Sequence, residues 1–145
     1  MGNVVTHRSA SFDQGEIIDA IEALYVPGGF DADCTYGNGA FWKNRQQPRW
    51  KFDIQPLFPD VIPLSSCDLP FISNALNSLM FDPPFLTYVR AGRDHKEGKV
   101  QMTARFGGYW TYQELTDHYF GTIACAARVL KKGGHLCRKV PRHHP

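Results

Sequence analysis

Five short apolar runs, at 30–34, 50–54, 61–64, 78–81 and 135–140, restrict the fold of this chain more than any other feature. The first four each end near an acid or a proline, and the gaps between runs leave room for helical crossovers. Short strands alternating with helices argue for a mainly parallel sheet with helices on its faces. Two helices can be read from their termini. Asp13 and Glu16 form a capping box, with Phe12 and Ile17 spaced as a hydrophobic staple, so a helix is predicted from Asp13 to the stop at Pro27-Gly28-Gly29. Its apolar face is Ile17, Ile18, Ile21, Leu24 and Tyr25. Thr111 and Glu114 repeat the box, Trp110 and Leu115 repeat the staple, and Leu115, Tyr119, Thr122, Ile123, Ala126 and Leu130 form the predicted buried stripe. Lys131-Lys132-Gly133-Gly134 then ends the second helix.

A chain of 145 residues suits one domain with a sheet-based core and is too short for two. Residues 1–11 read as a loose N-terminus and 141–145 as a polar tail. A net charge of +2 with 43% hydrophobic residues fits an ordinary globular protein, so any polyanion binding has to be local. Cys34, Cys67, Cys125 and Cys137 lack paired spacing, which argues against zinc and disulfides. With no signal peptide or long apolar stretch in the sequence, a cytoplasmic location is expected, and no membrane partner.

Three motifs carry chemistry. Asp33-Cys34-Thr35-Tyr36-Gly37-Asn38-Gly39 closes the first strand with an acid before a Gly-x-Gly turn, followed by a brief helix from Ala40. Glycines let backbone approach a ligand, and open α/β sheets bind ligands at the carboxyl ends of their strands. Asp53 after the second strand is placed to accept two ribose hydroxyls, and Asp68 after the third to receive an adenine amino group. Asp82-Pro83-Pro84-Phe85 offers acceptors with almost no donors, because neither proline carries an N–H. The Asp82 carboxylate and a carbonyl of the proline pair can each accept one N–H of an exocyclic amine, with Phe85 stacked on the base. Beyond it, the segment 86–109 has no convincing periodicity. It carries Arg90, Arg93, Lys96, Lys99 and Arg105 against Asp94 and Glu97, with Tyr88, Phe106 and Tyr109 among them, a mixture suited to phosphates and unstacked bases.

In this order the motifs resemble the class I S-adenosylmethionine-dependent methyltransferases, in particular the DNA amino-methyltransferases and, more narrowly, small phage or prophage types. Asp33, Gly37 and Gly39 match the family's first motif, Asp53 its ribose-binding acid, Asp68 with Leu69 its adenine-side loop, and Asp82 to Phe85 its catalytic tetrapeptide. Thr35 and Tyr36 belong to the same cofactor-side turn, and Phe12 occupies the place of the leading cofactor motif. The resemblance implies a Rossmann-like α/β fold with strand order 3-2-1-4-5 and methyl transfer from S-adenosylmethionine to an amino nitrogen of a nucleic-acid base, adenine in DNA first. The expected site therefore comprises Asp82, Pro83, Pro84 and Phe85 for catalysis and Phe12, Asp33, Thr35, Tyr36, Gly37, Gly39, Asp53, Asp68 and Leu69 for the cofactor. Arg90, Arg93, Lys96, Lys99 and Arg105 are expected on nucleic acid, and no metal is needed. The family continues past the fifth strand with a helix and an antiparallel hairpin. Their lack before Pro145 implies an exposed sheet edge, a homodimer through that edge, or, as the alternative function, a truncated and inactive module that binds nucleic acid or a partner subunit.

Overall fold

A computed structural model describes residues 11–83 and 112–139. Pro84, Phe85, the basic segment 86–109 and the tail at 141–145 lie outside the described residues. Helix α1 spans Gln14–Tyr25. Asp13 Oδ1 caps it by accepting from the backbone N–H of Gly15 at 2.7 Å and of Glu16 at 3.3 Å. The return arm of the box runs through Ser11, whose hydroxyl donates to Glu16 Oε2 at 2.6 Å and accepts from Asp13 N–H at 3.0 Å. The staple is not as expected. Phe12 is 96% exposed, and Ile17, Leu24 and Tyr25 also face outward, leaving Ile18 as the buried residue of the helix.

The strands are β1 (Ala32–Asp33), β2 (Trp50–Asp53), β3 (Ile62–Pro63), β4 (Leu76–Phe81) and β5 (Leu130–Arg138). They form one sheet in the order β3-β2-β1-β4-β5 with every pairing parallel, a Rossmann-like α/β arrangement. One edge strand, β3, is two residues long and contains Pro63, which offers no ladder donor; the other, β5, carries Lys131, Lys132 and Arg138. Leu76 pairs with Leu130 but Ser78 with His135, so Lys131-Lys132-Gly133-Gly134 bulges out of the ladder. A Cβ on Gly134 would lie 2.9 Å from the Lys131 carbonyl and 3.0 Å from that of Asn77, which is why glycine stands there.

Helix α2 spans Tyr112–Val129. Its buried stripe is Leu115, His118, Thr122, Cys125, Ala126 and Val129, about one position round from the expected one, and Ile123 is exposed. The cause is polar pairing: His118 and Thr122 bury themselves against Ser66, as described below. Alternation along the strands then divides the core in two. Ala32, Cys34, Phe52, Leu79 and Phe81 pack with Cys125, Ala126 and Val129 on the α2 face. Met80 packs with Ile18, Val26, Phe30, Phe41 and Trp42 on the α1 face. This second cluster is small because the β1–β2 crossover contains only a 3-10 turn, Ala40–Trp42, which among the described residues covers only part of α1. The β3–β4 connection likewise holds a 3-10 turn, Ser66–Asp68, and the β2–β3 connection is a loop where spacing alone allowed a helix. No helix among the described residues is long and apolar enough to cross a membrane.

Candidate functional site at the carboxyl rim of the sheet

Alternation sends Ala32 and Cys34 into the α2 face and Asp33 to the other, where it is fully buried. Its Oδ2 accepts the indole N–H of Trp42 at 2.7 Å, and its Oδ1 accepts the backbone N–H of Thr35 at 2.8 Å. Burial pushes the Asp33 carboxyl up to about 7 against these two donors, and the neighbouring Asp82 charge raises it further. Asp53 is 8% exposed. Its Oδ2 accepts from Gly37 N–H and its Oδ1 from Gln55 N–H, both at 2.8 Å, so each oxygen keeps one lone pair for a ligand hydroxyl. Burial raises the Asp53 carboxyl, and the two backbone donors pull against that rise.

The glycine turn is fastened between β4 and β2. Cys34 N–H donates to the Met80 carbonyl at 3.1 Å and Tyr36 N–H to that of Phe52 at 3.0 Å. Gly37 and Gly39 have φ of 56° and 70°, the left-handed region that glycine adopts without strain. At Gly39 the close approach is internal: a Cβ there would lie 2.9 Å from the Tyr36 hydroxyl. Tyr36 in turn donates to Gln47 Oε1 at 2.6 Å.

The rim also brings the first motif to the proline exit. Asp82 is buried, and its backbone N–H donates to the Thr35 hydroxyl at 2.6 Å. That hydroxyl lies 3.4 Å from Asp33 Oδ1, so one threonine joins the ends of β1 and β4. Pro83 is fully buried beside it. Between the glycine turn and Asp82 the free space is about 10 Å³, lined by Thr35, Gly37, Asn38, Phe41 and Asp82. One water fills such a space, whereas small-molecule pockets hold on the order of 300–1,000 Å³. The acids therefore suit an adenosyl ligand in chemistry, while the described residues leave room for little more than a water between the glycine turn and Asp82.

The remaining expected residues divide. Asp68 is exposed at the end of its 3-10 turn, open to a ligand, but Leu69 is buried in the α2-face core. Phe12 stands exposed on the approach to α1. Pro84, Phe85, Arg90, Arg93, Lys96, Lys99 and Arg105 lie outside the described residues. Two features escaped the sequence reading. Trp42, which locks Asp33, shows in the sequence only as an apolar residue. On the α2 face Ser66 Oγ lies 2.6 Å from Thr122 Oγ1 and 3.1 Å from His118 Nε2, and Cys67 Sγ lies 3.6 Å from His118 Nδ1. Leu115, His118 and Thr122 recur at helical spacing, a signal that marks His118 as inward-facing. Burial holds the His118 imidazole below its ordinary value. Compared with known proteins, the chain finds no match: no family model fits it, and no curated protein or solved structure matches. The methyltransferase resemblance thus rests on the order and chemistry of this chain's own motifs.

Proposed function

We propose that the chain transfers a methyl group from S-adenosylmethionine to an exocyclic amino nitrogen of a nucleic-acid base, with adenine in DNA as the first substrate. The observation that carries this reading is the 2.6 Å bond from Asp82 N–H to the Thr35 hydroxyl, which holds the acceptor-rich proline exit against the acid-and-glycine turn. Asp53 would hold the ribose hydroxyls with its two remaining lone pairs, and exposed Asp68 would take the adenine amino group. When bound, the cofactor supplies a sulfonium-activated methyl group, whose S–C bond breaks as the amine's N–C bond forms. Asp82 and the Pro83 carbonyl each accept one N–H of the amine, which aims its lone pair, and Phe85 stacks on the base. Asp82 also accepts the proton that the methylated nitrogen sheds. Catalysis on this reading is mostly positional. The segment 86–109 would hold backbone phosphates and so add affinity without sequence choice.

Radiolabelled methyl transfer to DNA, paired with calorimetric titration of S-adenosylmethionine, tests these roles. Asp82→Ala should lower transfer by about a hundredfold or more while cofactor affinity stays within a factor of a few. Asp53→Ala should weaken cofactor binding first, with transfer recovering at high cofactor. Two variants that both methylate like the parent chain would sink the assignment.

The 10 Å³ space beside Asp82 favours a second reading, a module that keeps the fold and binds nucleic acid without transferring methyl groups. Well-folded protein that gives no heat with S-adenosylmethionine would select it.

A further inference from the structure

On the outer side of the glycine turn lies a separate groove of about 650 Å³. It exists because the β1–β2 crossover is reduced to one 3-10 turn, so that among the described residues nothing covers the span between the 36–47 segment and the β2–β3 loop. Its walls are chemically mixed. Tyr36 and Phe58 meet edge to face with ring centroids 6.3 Å apart, and Phe58 is 43% exposed. The Tyr36 ring is held by its bond to Gln47 and by its seat against Gly39, so this aromatic wall is set before any ligand arrives. Lys51 pairs with Asp60 and has its Nζ 5.3 Å from the Tyr36 ring centroid. Lys43 stands exposed at the rim, and Asn38 spends its Oδ1 on Ala40 N–H at 3.2 Å, which leaves its amide NH₂ to donate outward.

An exposed aromatic face beside a cation and an amide donor matches one nucleotide: the base stacks and the phosphate is neutralised. We propose that this groove is a second nucleic-acid subsite, which holds one unpaired base on Phe58 and its adjoining phosphate at Lys43. The subsite rests on the nucleic-acid reading above, but it is independent of methyl transfer, since Asp82 and Asp53 take no part in it.

The test is fluorescence anisotropy of a labelled, short single-stranded oligothymidylate titrated with the full chain, without S-adenosylmethionine, over a salt series. Phe58→Ala should weaken binding about tenfold or more, and Phe58→Trp should restore it. Lys43→Ala should make the slope of log affinity against log salt shallower by about 0.7, the share of one phosphate contact on a single strand. Parent protein that does not bind the strand overturns the subsite, and so do Phe58→Ala and Lys43→Ala proteins that bind like the parent with an unchanged slope. If Phe58→Ala fails to fold, the Lys43→Ala slope decides alone. Free thymidine monophosphate should not displace the strand at equal concentration; if it does, the strand assignment is overturned. Loss of methyl transfer in Asp82→Ala leaves every one of these readings in place, so the two proposals fail separately.

Discussion

At the carboxyl rim on the α1 side of the sheet the buried polar groups are carboxylates, Asp33, Asp53 and Asp82, whereas on the α2 side they are neutral, Ser66, His118 and Thr122; the remaining buried hydroxyl, Ser78, lies within β4 and accepts from Asp31 N–H at 2.8 Å. Asp33 and Asp53 are met by fixed donors from turns: Thr35, Gly37 and Gln55 N–H groups and the Trp42 indole. The neutral set satisfies itself, with Ser66 Oγ shared between His118 and Thr122. Capacity separates the two. A hydroxyl with two partners has little left for a ligand, while an ionised carboxylate has about four acceptor sites, and Asp53 spends two of them on backbone. The α2 network is thus a fastening between helix and 3-10 turn, and the α1 rim is where a ligand can still be received.

Titration offers the sharpest way to break that contrast, because the two faces respond to pH with opposite signs. Asp33 is carried from its ordinary 3.8 up to about 7 in the folded chain. A raised carboxyl stabilises the fold while protonated, so its contribution is whole below pH 4 and is lost as pH rises through 7. Over that window the loss amounts to roughly 4 kcal/mol. Urea unfolding between pH 4 and 8 should show the decline, and Asp33→Asn should flatten it; identical profiles would mean that Asp33 is ionised throughout. His118 is lowered, so the folded chain resists its protonation. Its contribution is whole above pH 6.5 and falls away as pH drops below that value. A stability curve that His118→Gln changes only on the acid side is the expected signature, smaller than that of Asp33.

Next in size is the neutral network. Ser66→Ala takes from His118 Nε2 and Thr122 Oγ1 the hydroxyl they share, and should cost about 1–3 kcal/mol of unfolding free energy. Thr122→Val should cost a similar amount. On the methyl-transfer reading proposed above, neither should alter cofactor affinity or transfer at a temperature where the protein is folded. If Ser66→Ala instead abolished transfer while leaving the unfolding midpoint in place, the division of labour between the faces would be wrong.

Much of this architecture is legible in the sequence because strands and caps announce themselves locally. Asp13 does cap α1, and strands β2 and β4 overlie the apolar runs at 50–54 and 78–81. The order β3-β2-β1-β4-β5 is not local information and came only with the family resemblance. The crossovers were misread where spacing was the sole guide, since a gap long enough for a helix, as between Asp53 and Ile62, can equally be a loop. The α2 stripe differs from the expected one chiefly at His118, which looks polar until Ser66 is brought to it. At the site, the acids at the strand ends were legible by position. Their partners were not: the Trp42 indole on Asp33 and the Asp82 N–H on Thr35 are tertiary bonds between residues 9 and 47 positions apart.

The smallest effect on stability isolates that last bond. Thr35→Val keeps the side chain's shape but removes the acceptor for Asp82 N–H, so it should cost about 0.5–1.5 kcal/mol, and Thr35→Ser should restore most of it. A purely structural threonine would move stability and nothing else. Thr35 sits between the acid turn and the proline exit, so under the proposed methyl transfer Thr35→Val should also lower kcat more than it raises KM for S-adenosylmethionine, because Asp82 loses its alignment while Asp53 keeps its two backbone donors. Rescue of both quantities by serine would tie the rate to the hydroxyl. A valine variant within 0.5 kcal/mol of the parent, as for an ordinary surface substitution, would instead show that the two rim segments meet without holding each other.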